Sequence, residues 1–290
     1  MCPSKKQSSS NFLWAVMWFV LSLVVGCGND ALMKYAGSLV SPWQVTFFRC
    51  FFSVLTLLPF MYYQGSAAFV SNHLWLHVVR GGLLVLSISL WSHGIKEASI
   101  TTATIMSFTV PIFVLLLAPI VLQERVTWPL WGATLVSFGG IFLVLQPGHN
   151  TLRSSVFFLL AAVLFGLLDV INKKYVYQES LLAMLFYPTL VATVLLLPPL
   201  AYVGTFPTRH ALPWLLCLGI GNNLILYCLL RAFRLTAVSS LAPFRYLELL
   251  FSMGVGYLFF QDMPGRNDYW GAAIIIFCAL FITYYQRRSV

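Results

Sequence analysis

Ten runs of about 20 apolar residues, each long enough to cross the hydrocarbon of a bilayer as a helix, occupy nearly all of this chain. By that length criterion they fall at roughly 12–35, 42–63, 74–95, 99–122, 127–146, 154–175, 181–204, 211–232, 236–260 and 268–286. The connections are short, and none holds a separate soluble domain. Hydrophobic residues make up 60% of the 290 and charged residues 9%, against about 25% charged in a soluble domain. That deficit excludes a soluble enzyme, a disordered chain and a nucleic-acid module. The start, MCPSKKQSSSN followed by FLWAVMWFVLSLVV, imitates a signal peptide. It lacks a small-x-small cleavage site, so a retained first helix is expected.

The net charge of +9 comes from basic residues at the ends of the apolar runs. With the N-terminus inside, the cytoplasmic ends hold ten: Lys5, Lys6, Arg80, Arg125, Lys173, Lys174, Arg231, Arg234, Arg287 and Arg288. The outer ends hold five: Lys34, Lys96, Arg153, Arg209 and Arg266. The positive-inside rule then places both termini in the cytoplasm, in agreement with an even number of spans.

The chain repeats itself. Asp30-Ala-Leu-Met-Lys34 matches Asp169-Val-Ile-Asn-Lys173 at an offset of 139. Gly94 to Thr101 matches Ala232 to Ser239 at an offset of 138. Gln123-Glu124 matches Gln261-Asp262, and Trp131-Gly132 matches Trp270-Gly271. Five spans per repeat force the halves into opposite orientations. The expected fold is an all-α membrane protein of ten transmembrane helices in two inverted five-helix repeats, residues 1–148 and 149–290, the architecture of secondary transporters.

A charged side chain inside the hydrocarbon costs about 2.5–3.5 kcal/mol on insertion scales and is a functional candidate by default. Asp30 and Lys34, Arg49, Asp169 with Asn172 and Lys173, and Arg245 with Glu248 form the set. Asp30/Lys34 and Asp169/Lys173 are i,i+4 pairs able to neutralise themselves, and the lysines lie near enough to helix ends to snorkel. Arg245 and Glu248 are neighbours at i,i+3 but lie deep in the ninth run, after Pro243, which removes a backbone donor and leaves carbonyls free to face a cavity; a substrate role is favoured there. Arg49 and Asp30 are equally consistent with pairing together and with binding a ligand. Trp91, Ser92 and His93, then Thr101, Thr102, Thr104 and Ser107, then Asn222, Asn223, Tyr227 and Tyr246 supply a polar and aromatic shell. The helix-4 hydroxyls read as interhelical packing. Acids, arginines, amides and aromatics on different helices suit a zwitterion with a flat or cationic part.

Other chemistry finds little support. The six cysteines form no C-x-x-C pair, and five lie in apolar runs as small hydrophobes. His73 and His77 stand at i,i+4 with no acidic third ligand near them in sequence, so no metal site is expected. No G-x-S-x-G or H-E-x-x-H signature appears. Asp30 and Asp169 could imitate an aspartyl dyad, but opposed repeats would carry them toward different leaflets. No ring of like charges marks a channel. An enzyme is not expected, nor a cofactor, nor a nucleic-acid partner; the partners are the lipid bilayer and a small-molecule substrate.

Ten helices in two five-helix repeats, with an acid-tipped fourth helix and a glycine-bearing fifth, resemble the EamA-type drug/metabolite transporter superfamily. A narrower likeness rests on Asn29-Asp30, Phe47-Phe48-Arg49 with Phe51-Phe52, Leu168-Asp169-Val-Ile-Asn172-Lys173-Lys174, Glu179-Ser180 with Met184-Leu-Phe-Tyr187, and Ala242-Pro243-Phe-Arg245-Tyr246-Leu-Glu248. Their order and spacing are similar to those of the S-adenosylmethionine uptake transporters of obligate intracellular bacteria. That resemblance implies import of S-adenosylmethionine across a bacterial inner membrane, with S-adenosylhomocysteine as a potential exchange partner. Export of drugs, metabolites or amino acids by the same fold is the rival within transport. The residues expected to meet substrate are Arg245, Glu248, Tyr246, Asp30, Arg49, Asp169, Trp91, Asn223 and Tyr227. Reporter fusions after Val290 and within residues 147–152 should report opposite sides of the membrane; the same side for both would refute the topology or the span count.

Overall fold

The computed structural model describes residues 5–65, 69–71, 73–97, 106–124, 126–144, 152–203 and 206–248, with scattered positions between 250 and 285. The described residues are helical, with no strand among them. The helices are α1 (Lys5–Leu39), α2 (Pro42–Gln64), α3 (Leu74–Glu97), α4 (Val110–Leu122), α5 (Trp128–Val144), α6 (Leu152–Tyr175), α7 (Leu181–Leu195), α8 (Leu197–Val203), α9 (Leu212–Leu235) and α10 (Val238–Leu241), followed by a 3-10 segment, Ala242–Leu247.

Local chemistry sets the starts. Ser41 caps α2 in a reciprocal capping box with Gln44, ahead of Pro42 at the first helical position. Ser180, 139 residues on, caps α7 by accepting from the Ala183 amide at 3.0 Å. Among the described residues five helices are long and apolar enough to cross a membrane, and α7 with α8 makes a sixth if the pair is one span. The run at 181–204 is therefore not one straight helix: it bends by 41° between α7 and α8, where Pro198 and Pro199 remove two backbone donors. The run at 99–122 contributes the 13-residue α4, with residues 98–105, and so Thr101, Thr102 and Thr104, outside the described residues. The run at 236–260 is not a continuous α-helix either, since it opens as α10 and the 3-10 segment. About half of the run at 268–286 lies outside the described residues, as do Asp262, Arg125, Arg266, Arg287, Arg288 and the side chains of Lys5, Lys6, Lys96 and Arg153.

The principal helix pairs are α1 with α9 and α3 with α6, followed by α2 with α9 and α3 with α7. Positions 138 or 139 residues apart make equivalent contacts. Gly81 lies so close to α7 that a Cβ there would sit 2.6 Å from the Val191 side chain, and Gly219 so close to α2 that a Cβ would sit 2.6 Å from Phe52. Lys34 donates to the Ile95 carbonyl at 2.7 Å, and Lys173 to those of Phe233 and Thr236 at 2.6 and 2.8 Å. The two lysines thus do not simply snorkel: each satisfies carbonyls left open at the end of a neighbouring helix, where a cation also meets the negative end of the helix dipole. Glu124 does the converse job, accepting from the amides of Val238 and Ser239 at 3.2 and 3.1 Å at the start of α10.

Gly81→Ala and Gly219→Ala should each destabilise the detergent-solubilised protein by about 1–3 kcal/mol through overpacking. Gly82→Ala, with nothing within 4 Å of the added carbon, should not lower the thermal midpoint. A Gly219→Ala protein as stable as the parent would refute the close crossing.

Candidate functional site

A cavity of about 200 Å³ lies among α1, α2, α3, α4, α6, α7, α9 and the 3-10 segment. Three acids line it, Asp30, Asp169 and Glu248, and three arginines, Arg49, Arg80 and Arg245. Its apolar wall includes Leu84, Ile88, Trp91 and Phe165. The Trp91 ring is wedged edge-on against Phe158 and Phe165, at 5.0 and 5.9 Å between centroids.

The charges are held from several helices. Arg245 meets Asp169 at 3.2 Å, so Asp169 pairs across to the 3-10 segment and not along its own helix to Lys173. Asp30 accepts from the Trp91 indole N–H at 3.3 Å. Arg49 donates through Nε to Asn222 at 3.1 Å, and Asn222 donates to Ser53 Oγ at 2.9 Å. Arg80 donates to Asn172 Oδ1 at 2.8 Å and to the Met184 carbonyl at 3.0 Å, and stands 3.2 Å from His77 Nδ1.

Of the nine expected substrate contacts, Arg245, Glu248, Asp30, Arg49, Asp169 and Trp91 line this cavity and three residues do not. Tyr246 is fully buried away from it, its ring 5.5 Å from Phe108. The reason is the 3-10 geometry: three residues per turn align positions i and i+3, so Arg245 and Glu248 share a face that Tyr246 leaves. Asn223 is turned from the cavity by about 100° relative to Asn222 and braces α9 to α2, donating to the Ser53 carbonyl and Thr56 Oγ1 at 2.9 Å each. Tyr227 lies edge-on to Trp18 at 5.9 Å, with the Arg231 guanidinium 5.7 Å from each ring.

Sequence reasoning missed Arg80 as a site residue. By its position it reads as a cytoplasmic helix end, yet it is 1% exposed and lines the cavity. Its place six residues inside an apolar run was the available signal. Asn222 and Asn172 also line the cavity. Folding also brings an acid to the histidines: Glu179 reaches His73 at 3.1 Å and His77 at 3.8 Å. The two rings approach different carboxylate oxygens, and no group of three metal-ligating side chains converges among the described residues.

Apolar helices packed around a cavity with three acids and three arginines define a multi-pass membrane protein built to handle a polar solute. The comparisons agree. The EamA-like transporter family model matches twice, over residues 13–146 and 152–284. A protein of Rickettsia conorii named S-adenosylmethionine uptake transporter is 39% identical over 96% of this chain and 95% of its own. A riboflavin transporter of Rhizobium johnstonii is 30% identical over 84% and 82%. A solved crystal structure with 15% identity superposes with a TM-score of 0.77 over 95% of this chain and 99% of that one, a likeness of fold alone. The chain belongs to the EamA-like transporter family. It is a transporter and not an enzyme.

Removing one partner of the Asp169–Arg245 pair should cost about 3–5 kcal/mol by stranding a buried charge, whereas replacing both should cost much less. Thermal midpoints of Asp169→Asn, Arg245→Gln and the double variant check this; a double variant as unstable as the sum of the singles would refute the pairing.

Proposed function

We propose that this transporter imports S-adenosylmethionine across a bacterial inner membrane by alternating access, with both termini cytoplasmic and S-adenosylhomocysteine as its counter-substrate. The observation that carries the reading is the cavity itself: six charged side chains, with one acid–arginine contact within 4.0 Å among the described residues. Such a site is matched to a ligand carrying charges of both signs, since a buried charge left without a partner is costly. S-adenosylmethionine has a carboxylate, an ammonium and a sulfonium. Its adenine suits the aromatic wall at Trp91 and Phe165. The named relative in Rickettsia conorii supports the same ligand.

Alternating access rests on two inverted repeats, residues 1–148 and 149–290. Supporting them are the two family matches, the paired glycine crossings of Gly81 and Gly219, and the paired lysine caps of Lys34 and Lys173. Every one recurs at an offset of 138 or 139 residues. An odd number of spans per repeat inverts the second copy, and a site between the copies is then reached from either side in turn.

Proteoliposomes holding the purified protein should accumulate labelled S-adenosylmethionine, and internal S-adenosylhomocysteine should accelerate uptake several-fold. No uptake above that of protein-free vesicles would refute the substrate. Uptake indifferent to internal S-adenosylhomocysteine would refute the exchange.

A further inference from the structure

The six charged groups of the cavity are not equivalent, because the protein already engages most of them. Asp169 and Arg245 hold each other at 3.2 Å. All three guanidinium nitrogens of Arg80 are occupied, by Asn172, His77 and the Met184 carbonyl. Arg49 differs. Its Nε is fixed by Asn222 at 3.1 Å, while its two terminal nitrogens have no partner among the described residues and are not sealed from the cavity. Arg245 also keeps two nitrogens open, but its charge is already met by Asp169; Arg49 is the arginine that combines open terminal nitrogens with no acid within 4.0 Å among the described residues, a fork that accepts a carboxylate through two parallel hydrogen bonds. Among the acids, Asp30 is held on one oxygen by Trp91 at 3.3 Å. The Glu248 carboxylate has neither a hydrogen bond nor a basic group within 4.0 Å among the described residues.

Of these three groups, Asp30 is the one that neighbours both of the others. Cys27, one turn before Asp30 on the same face of α1, donates its thiol to the Glu248 main-chain carbonyl at 3.6 Å. Glu248 is therefore beside Asp30 on one flank. On the other flank Asn29 is tight against α9, where a Cβ on Gly221 would lie 2.6 Å from Asn29 Oδ1. The next residue, Asn222, is the one that fixes Arg49. Asp30 is within electrostatic reach of both neighbours. The protein thus presents plus, minus, minus. The methionyl arm of S-adenosylmethionine presents minus and plus on one carbon, then plus on the sulfur two methylenes further on.

We propose that Arg49 holds the ligand carboxylate, Asp30 its ammonium and Glu248 its sulfonium, which makes Glu248 the residue that distinguishes a sulfonium from a thioether. The assignment rests on the substrate proposed above. The three groups sum to one negative charge and the ligand to one positive charge. S-adenosylhomocysteine, whose sulfur is neutral, leaves the Glu248 carboxylate with no cation within 4.0 Å and only the more distant Arg245 to offset it.

The test is binding to the full-length purified protein by titration calorimetry, with S-adenosylmethionine, S-adenosylhomocysteine and decarboxylated S-adenosylmethionine. Wild-type protein should bind S-adenosylmethionine roughly tenfold or more tightly than S-adenosylhomocysteine, the scale of one charge-assisted contact. Equal affinities overturn the assignment whatever the variants do. Glu248→Gln should weaken S-adenosylmethionine roughly tenfold and S-adenosylhomocysteine far less, so that the ratio collapses. Arg49→Gln should leave that ratio in place and collapse the one between S-adenosylmethionine and its decarboxylated form. A Glu248→Gln protein that weakens both ligands alike, or keeps the wild-type ratio, overturns the role of Glu248. Wild-type protein that binds none of the three overturns the proposed substrate and the assignment with it, an outcome distinct from an unchanged ratio.

Discussion

The structure depends on one constraint: charges that the hydrocarbon would not tolerate must be met by groups from other helices. At about 2.5–3.5 kcal/mol apiece on insertion scales, six isolated charges would make this bundle improbable. Apart from His77, one turn before Arg80 on α3, the partners these charges have come from other elements. Arg49 reaches Asn222 across 173 residues of sequence, Arg80 reaches Met184 across 104, and Trp91 reaches Asp30 across 61. The polar contacts therefore exist only after α1, α2, α3, α6, α7 and α9 have come together. Two of them, those of Arg49 and Arg80, join the first half of the chain to the second, so the machinery of the site is also a fastening between the halves.

Close backbone approach is what makes those long reaches feasible. Gly81 against α7 and Gly219 against α2 leave no room for a Cβ, which is how helices pack tightly where lipid supplies no hydrophobic drive for association. Arg80 directly precedes Gly81, and Asn222 lies one turn beyond Gly219. Each crossing thus delivers a polar side chain to the cavity next to the point where two helices touch. Ser53 draws on the same geometry, bonding to Gly219 O and to both asparagines of α9. The paired lysine caps and the Glu124 cap close helix ends nearby, so little of the exposed backbone polarity has to be met by lipid.

Apolar run length made the membrane class and most helix positions legible in the sequence, and α2, α3 and α6 begin and end within two residues of the expected runs. The offset of 139 residues that links Asp30 to Asp169 was visible as well. Helix direction at the residue level was not. Hydropathy gives depth only coarsely, so Arg80 passed for a terminal charge. Asn222 and Asn223 are interchangeable in a pattern yet about 100° apart on a helix. Tyr246 reads as part of the aromatic shell because it adjoins Arg245 in sequence, and adjacent residues on any helix point at least about 100° apart. Glu179 could not be linked to His73 and His77, since 106 residues separate it from His73.

The irregular backbone after α10 explains why one acid stands alone. In a regular α-helix, Arg245 and Glu248 at i,i+3 would be natural partners. A 3-10 segment has a rise of about 2.0 Å per residue against 1.5 Å in an α-helix, which draws the two further apart along the same face. Pro243 favours this conformation by removing one helical donor. Arg245 is then met by Asp169 from α6, at 3.2 Å, while Glu248 comes to rest over Cys27 of α1. Had Arg245 turned back to Glu248, Asp169 would be the unmatched acid, on the far helix from Asp30 and Arg49. The choice of partner for one arginine thus decides which acid of the cavity is left without a partner within 4.0 Å, and that acid is Glu248, a neighbour of Asp30.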